Sequence, residues 1–116
     1  MKTSTLYFAS GLAALLAAVQ VYLGLNLHSF GVGGLHTHIT LAILLLLLMH
    51  IPFLRGEGYT KKVYMGLIGL IGLQGGIGIY LAFIEFIRVL NVIHHIFGWV
   101  ILFGSILGVA LVFMRK

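Results

Sequence analysis

The sequence predicts an all-α membrane protein, an integral four-helix bundle. Of its 116 residues, 61% are hydrophobic and only 8% are charged, whereas a soluble domain is roughly 45–50% apolar and about 25% charged. The mean hydropathy is +1.18. At about 20 residues per membrane crossing, the chain accommodates four helices joined by short loops. We therefore expect residues 1–116 to form a single four-transmembrane-helix domain.

Charged residues and turn-forming segments delimit the four predicted spans, which cover about residues 6–25, 36–54, 63–84 and 92–114. The glycine-rich segment NLHSFGVGG follows the first span, the polar turn RGEGYTKK follows the second, and EFIRVLN precedes the fourth. Thr60 and Asn91 are the predicted N-caps of spans three and four. The segment MKTSTLYFASGLAALLAAV also resembles a signal peptide. We expect it to be a true span, because its loss would leave a bundle of three helices.

The basic residues predict the orientation of the bundle. Only Arg88 falls at the outer end of the spans, and the other six fall at the inner end: Lys2, Arg55, Lys61, Lys62, Arg115 and Lys116. The positive-inside rule therefore places both termini and the middle loop in the cytoplasm, in a multi-pass protein of the plasma membrane. The net charge of +5 does not indicate nucleic-acid binding, because the basic residues are scattered at span ends.

The two halves of the chain share a pattern of polar and small residues. His38 lies 18 residues after Gln20, and His94 lies 20 residues after Gln74. Each half thus has Gln-x-x-x-Gly near the end of an outgoing helix and a histidine that opens the returning helix. Because both halves start on the same side of the membrane, the sequence predicts two parallel two-helix repeats.

This repeat brings His38 and His94 to equivalent depths on spans two and four. Two imidazoles so placed suit a b-type haem held between the helices, with one histidine on each face of the iron. Ala42 and Gly98 follow these histidines by four residues, and a bulky side chain there would meet the porphyrin. The chain has no cysteine, which excludes thiolate ligands and c-type attachment. The sequence therefore predicts one haem b at the outer side, with His38 and His94 as ligands of the iron.

The other histidines leave alternatives open. Five of the six gather at the outer end of the spans: His28, His36, His38, His94 and His95. His36 and His95 are the alternative ligands, because residues two apart or adjacent on a helix point in different directions. His50 lies 14 residues after His36, and it is the candidate ligand of a second haem. Span four offers no partner at that depth, so we expect one haem.

Glycines recur at every third position of span three, from Gly66 to Gly78, and span four contains Gly104 and Gly108. Small residues allow helices to approach closely in lipid. We expect these glycines to serve helix packing rather than to form a groove facing a haem.

The segments VQVYLG and HTHITLA, and then LQGGIG and HHIFGWVILFGSILG, resemble one half of the haem A synthase family of membrane proteins. In that family each half is a four-helix bundle, whose second and fourth helices open with a haem-ligating histidine. The resemblance implies a b-type haem on His38 and His94, with Gln20 and Gln74 packed nearby. It also implies dimerisation to recreate the eight-helix pattern. Members that oxidise the haem methyl group carry a glutamate one turn before the first histidine, where this chain has Leu35.

We therefore expect a membrane cytochrome b, or a haem-carrying subunit of a respiratory or oxidoreductase complex, with no catalytic residues. Its expected partners are lipid, other membrane subunits or a second copy, and a quinone. With both axial positions filled by imidazole, electron transfer is favoured over chemistry at the iron. The alternatives are a haem A synthase-like haem-modifying enzyme acting as a homodimer, a copper or zinc site on the outer histidines, and a purely structural membrane subunit.

Overall fold

The computed structural model describes residues 3–114, and these form four α-helices. The helices are α1 (Thr3–Leu25), α2 (Leu27–Arg55), α3 (Gly58–Phe83) and α4 (Arg88–Met114). All four are long and apolar enough to cross a membrane. Even α1, the shortest at 23 residues, exceeds a hydrocarbon layer about 30 Å thick at roughly 1.5 Å per residue. The predicted all-α four-helix bundle is confirmed.

The helices pack as a square, with α1 and α3 on one diagonal and α2 and α4 on the other. Each helix of one diagonal packs against both helices of the other. Among residues 3–114, no pair of Cα atoms within 8 Å joins α1 to α3 or α2 to α4. The Cα atoms extend over 46 × 24 × 17 Å. Side chains of α2 and α4 can therefore meet only by reaching across the centre of the bundle.

Most of the buried core lies in the half of the bundle next to the α2–α3 turn, which we call the inner half. Tyr64 and Leu67 of α3 lie where Cβ atoms of Gly108 and Gly104 of α4 would project. The large side chains of α3 thus fill the space that the glycines of α4 leave free. This bears out the packing role expected of the two glycines in span four.

Burial repeats along the chain at a constant offset. Buried positions of α1 recur 54 residues later in α3, and buried positions of α2 recur 56 residues later in α4. The buried pairs are Leu6 and Thr60, Ser10 and Tyr64, Ala13 and Leu67, Ala17 and Ile71, Leu45 and Ile101, Met49 and Ser105, and Pro52 and Gly108. Side-chain size is not kept, because small residues of α1 correspond to large residues of α3. The two halves therefore repeat the positions that face the core but fill them differently.

Helix α2 begins nine residues before the predicted start of span two at position 36. The side-chain amide of Asn26 donates to the carbonyl of Tyr22 at 2.9 Å, and α2 starts directly afterwards at Leu27. The backbone then kinks at Gly31, where φ is 67° and ψ is −152°. Glycine adopts such a conformation at little cost. The predicted boundary was wrong because one kink, rather than a loop, accommodates the glycine-rich segment.

The predicted N-caps, Thr60 and Asn91, lie inside helices. Helix α3 begins at Gly58, where φ is 56°, and its N-cap Glu57 makes no side-chain capping hydrogen bond. Helix α4 begins at Arg88, three residues before Asn91. Both capping predictions were wrong, because each helix extends past the polar residue that was expected to start it.

Candidate functional site

Two histidines on diagonally opposed helices meet in the other half of the bundle, which we call the outer half. The ring centroids of His38 on α2 and His94 on α4 are 6.4 Å apart, and the ring planes cross at 83°. A metal ion bonded to an imidazole nitrogen on each side at about 2.0–2.1 Å would hold two ring centroids roughly 6 Å apart. The two rings therefore have the separation of imidazoles on opposite sides of a single ion.

Each of these histidines is bonded to a glutamine of the preceding helix in the same way. Nε2 of Gln20 donates to the backbone carbonyl of His38 at 2.9 Å, and Nε2 of Gln74 donates to that of His94 at 2.6 Å. These hydrogen bonds link α1 to α2 and α3 to α4 at the level of the imidazoles. The two halves of the chain thus repeat a contact as well as a sequence pattern.

The glycines four residues after these glutamines leave room for the imidazoles. A Cβ atom at Gly24 would lie 3.5 Å from Cε1 of His38, and one at Gly78 would lie 2.8 Å from Cε1 of His94. The second distance is too short for any side chain, so His94 takes this position because residue 78 is glycine. The sequence pattern contained both glycines at the same spacing, but it did not indicate what they contact.

Gly98 has a different neighbour from the one predicted. A Cβ atom there would lie 3.5 Å from Nε2 of Gln74 and 3.8 Å from Cγ2 of Val21. The small residue therefore makes room for the glutamine amide that bonds to His94. Gly98 and Ala42 also line the cavity described below, and their contact with a porphyrin stays a prediction.

A cavity of about 930 Å³ surrounds the two imidazoles. This volume lies in the upper part of the range of about 300–1,000 Å³ found for ligand sites. All four helices line the cavity, and most of the lining side chains are apolar. Several lining residues of α2 and α3 are exposed on the outside of the bundle, so the cavity is open there: Val32, Ile43, Gly72, Gly76 and Ile79.

The glycines of α3 form part of the cavity wall. Gly72, Gly75 and Gly76 line the cavity, and no atom lies within 4 Å of the place where their Cβ atoms would project. Gly66 and Gly69 are exposed and also have open space at that place. The predicted packing role of these glycines within the chain was therefore wrong, because α3 turns them away from its neighbouring helices.

The remaining histidines divide into those at the cavity and those away from it. His28 and His95 line the cavity, and the His95 ring lies 5.9 Å from that of His94. His36 is exposed and does not line it. His50 lies outside the cavity as well, with Nδ1 at 2.8 Å from the carbonyl of Leu46. Within residues 3–114, no three acidic or histidine side chains form a group that could hold a metal ion.

Four polar atoms of the site are buried without a hydrogen-bond partner in the described part of the chain. They are Oε1 of Gln20, Oε1 of Gln74, Nδ1 of His38 and Nδ1 of His94. Buried polar atoms in proteins are usually paired, and leaving one unpaired costs about 1–3 kcal/mol. The same two atoms recur in each half. Because Nδ1 of each ring is buried in the protein, Nε2 is the nitrogen that a molecule in the cavity would reach.

The chain matches no protein-family model, no curated protein and no solved structure. The likeness of its motifs to half of a haem A synthase therefore stays a prediction. What the site offers is a pair of opposed imidazoles inside a large apolar cavity.

Proposed function

We propose that the protein is a b-type haem-binding membrane cytochrome that transfers electrons, alone or as a subunit of a larger oxidoreductase complex. One observation carries this proposal. The imidazoles of His38 and His94 come from helices that do not touch, yet their ring centroids lie 6.4 Å apart inside an apolar cavity. The resemblance to half of a haem A synthase supports the same pair of ligands.

The residues around this pair fit a haem. His38 and His94 would bind the iron through Nε2, and the apolar walls would contact the macrocycle. His28 and His95 also line the cavity, and they would contact the propionates. A porphyrin itself supplies the remaining nitrogen ligands of the iron, so two protein ligands are sufficient. A site of this kind does not need a group of three or more coordinating side chains.

The side chains at the cavity favour electron transfer over haem modification. A bound haem supplies a one-electron step between ferrous and ferric iron. His38 and His94 would occupy both axial positions and leave none for a substrate. Neither of the two glutamates lines the cavity, and Glu85 is exposed and accepts a hydrogen bond from Tyr80 at 3.4 Å. A haem-modifying homodimer is therefore the weaker candidate.

The charged ends of the helices support the proposed orientation. Arg55, Lys61 and Lys62 lie at the α2–α3 turn, and Arg88 begins α4 at the opposite end. The other basic residues used in the prediction, Lys2, Arg115 and Lys116, lie outside the described residues. The positive-inside rule then gives a cytoplasmic α2–α3 turn and a haem near the outer face of the plasma membrane. A quinone or a partner subunit would exchange electrons with the haem there.

The cysteine-free chain allows a direct test of this orientation. Tyr59 and Phe86 are exposed at opposite ends of the bundle. In intact cells, a membrane-impermeant maleimide should label the Phe86→Cys variant but not the Tyr59→Cys variant. The reverse labelling would contradict the orientation, although it would leave haem binding open.

A reduced-minus-oxidised absorption spectrum tests the proposed function itself. The detergent-purified protein, supplied with haem, should show b-type bands, and a pyridine haemochrome assay should give one haem per chain. A flat spectrum from folded, haem-supplemented protein would contradict the proposal.

A further inference from the structure

We infer that Gln20 and Gln74 fix the tautomer of the His38 and His94 imidazoles and thereby lower the redox potential of the site. The inference rests on the proposed haem binding for its second half. Each glutamine is held to its histidine by the hydrogen bond from Nε2 to the backbone carbonyl. What lacks a partner in each half is the glutamine Oε1 and the histidine Nδ1.

The two unpartnered atoms in each half are chemically complementary. An amide oxygen only accepts hydrogen bonds, whereas a neutral imidazole donates from whichever nitrogen carries its proton. If that proton is on Nδ1, a single hydrogen bond from Nδ1–H to Oε1, made directly or through one bridging water, satisfies both atoms. The lone pair of Nε2 is then free to bind a metal ion in the cavity.

The hydrogen bond to the backbone fixes which end of the amide can serve the ring. Turning the amide of Gln20 or Gln74 round would place Oε1 against the carbonyl oxygen of the histidine, and two acceptors would face each other. The amide of Gln74 is further confined by Gly98, since a Cβ atom there would lie 3.5 Å from Nε2. The glutamine therefore offers the imidazole an acceptor and never a donor, and this favours the Nδ1–H tautomer.

An acceptor at Nδ1–H has a known effect on a metal-bound histidine. It orients the ring and makes the imidazole a stronger electron donor, and its loss typically lowers metal affinity about 10–100-fold. Stronger donation favours ferric over ferrous iron. Both glutamines therefore lower the potential of the haem, and removing either should raise it.

A simpler role for the glutamines is to connect the helices, and the apoprotein distinguishes the two roles. Nitrogen NMR of ¹⁵N-histidine-labelled apoprotein in detergent reports which ring nitrogen carries the proton. His38 and His94 should both be Nδ1–H tautomers in the wild type. Gln20→Met should alter the tautomer of His38 alone, and Gln74→Met should alter that of His94 alone.

Ser105→Ala is the matched control for these variants. It removes another side-chain hydrogen bond, from the buried Ser105 Oγ to the carbonyl of Ile101 at 2.7 Å, and Ser105 does not line the cavity. Its histidine signals and its haem potential should match those of the wild type. The wild-type tautomers themselves need no variant, so the inference can be tested even if a glutamine variant fails to fold.

The haem-loaded protein provides the second measurement. Each glutamine variant should lose about tenfold in ferric relative to ferrous affinity, which raises the midpoint potential by about 59 mV. Nε2–H tautomers in the wild type, or tautomers and potentials that do not respond to either glutamine, would overturn the inference and leave haem binding intact. Tautomers that follow the glutamines in a protein that binds no haem would instead refute the proposed function.

Discussion

A single methyl group added at Gly78 should displace the imidazole of His94. The new Cβ atom would lie 2.8 Å from Cε1 and 3.4 Å from Nε2 of that ring, and ordinary van der Waals contact begins at 3.4 Å. Cε1 must therefore move away from α3 by 0.6 Å, the difference between 3.4 and 2.8 Å. Designed sites lose function when a ligand departs by more than roughly 0.5 Å from its productive position.

The cost of this displacement follows from the packing of the site. Overpacking a well-packed interior by one methyl group costs about 1–3 kcal/mol. If the haem-bound state bears that strain, the haem dissociation constant rises by about 5–150-fold. We therefore expect Gly78→Ala to weaken haem binding by at least about tenfold.

Gly24→Ala is the matched control, because Gly24 occupies the same place in the other half. Its Cβ atom would lie 3.5 Å from Cε1 of His38, which is ordinary contact. Its affinity should stay within about threefold of the wild type, a difference below 1 kcal/mol. Haem titration of each apoprotein, followed by absorbance, measures the affinities, and circular dichroism checks folding. Wild-type affinity in Gly78→Ala, or equal losses in both variants, would refute this reasoning.

Three further substitutions test the fold and the number of haems. Tyr64→Phe should leave the free energy of unfolding unchanged or raise it, because the buried hydroxyl has no hydrogen-bond partner within residues 3–114. Gly108→Ala, whose Cβ atom would lie 2.5 Å from that hydroxyl, should lower it by about 1–3 kcal/mol. Denaturation in detergent measures both, and a less stable Tyr64→Phe would reveal an overlooked partner. Gly31→Ala should cost about 1–3 kcal/mol, since its backbone conformation is nearly restricted to glycine. Thermal unfolding should show no such loss for Gly33→Ala, which has open space around it. His50→Ala should retain one haem per chain in the haemochrome assay, because His50 lies outside the cavity; a halved haem content would indicate a second site.

The four helices could be predicted from hydropathy, but their ends could not. Long apolar segments between charged residues identify a bundle because few other structures satisfy the backbone in lipid. The start of α2 was missed because the glycines of NLHSFGVGG have the composition of a loop. In the structure only Gly31 leaves the helical conformation inside α2, and one kink accommodates the turn.

The site could be predicted in part for a similar reason. The repeat identified His38, His94 and the two glutamines, because equal spacing in two halves places residues at equal depth. The glycines of α3 look alike in the sequence, yet Gly78 adjoins an imidazole and Gly66 faces outward. Spacing gives the depth of a residue, whereas the direction it faces depends on how the helices are rotated against one another.

The most direct test of the proposed ligand pair is the reduced-minus-oxidised spectrum of four histidine variants supplied with haem. His38→Ala and His94→Ala should each lose the b-type bands, because each removes one of the opposed imidazoles. His36→Ala and His50→Ala should retain them, because neither residue lines the cavity. Bands that survive in both His38→Ala and His94→Ala, or that disappear in His36→Ala, would contradict the assignment.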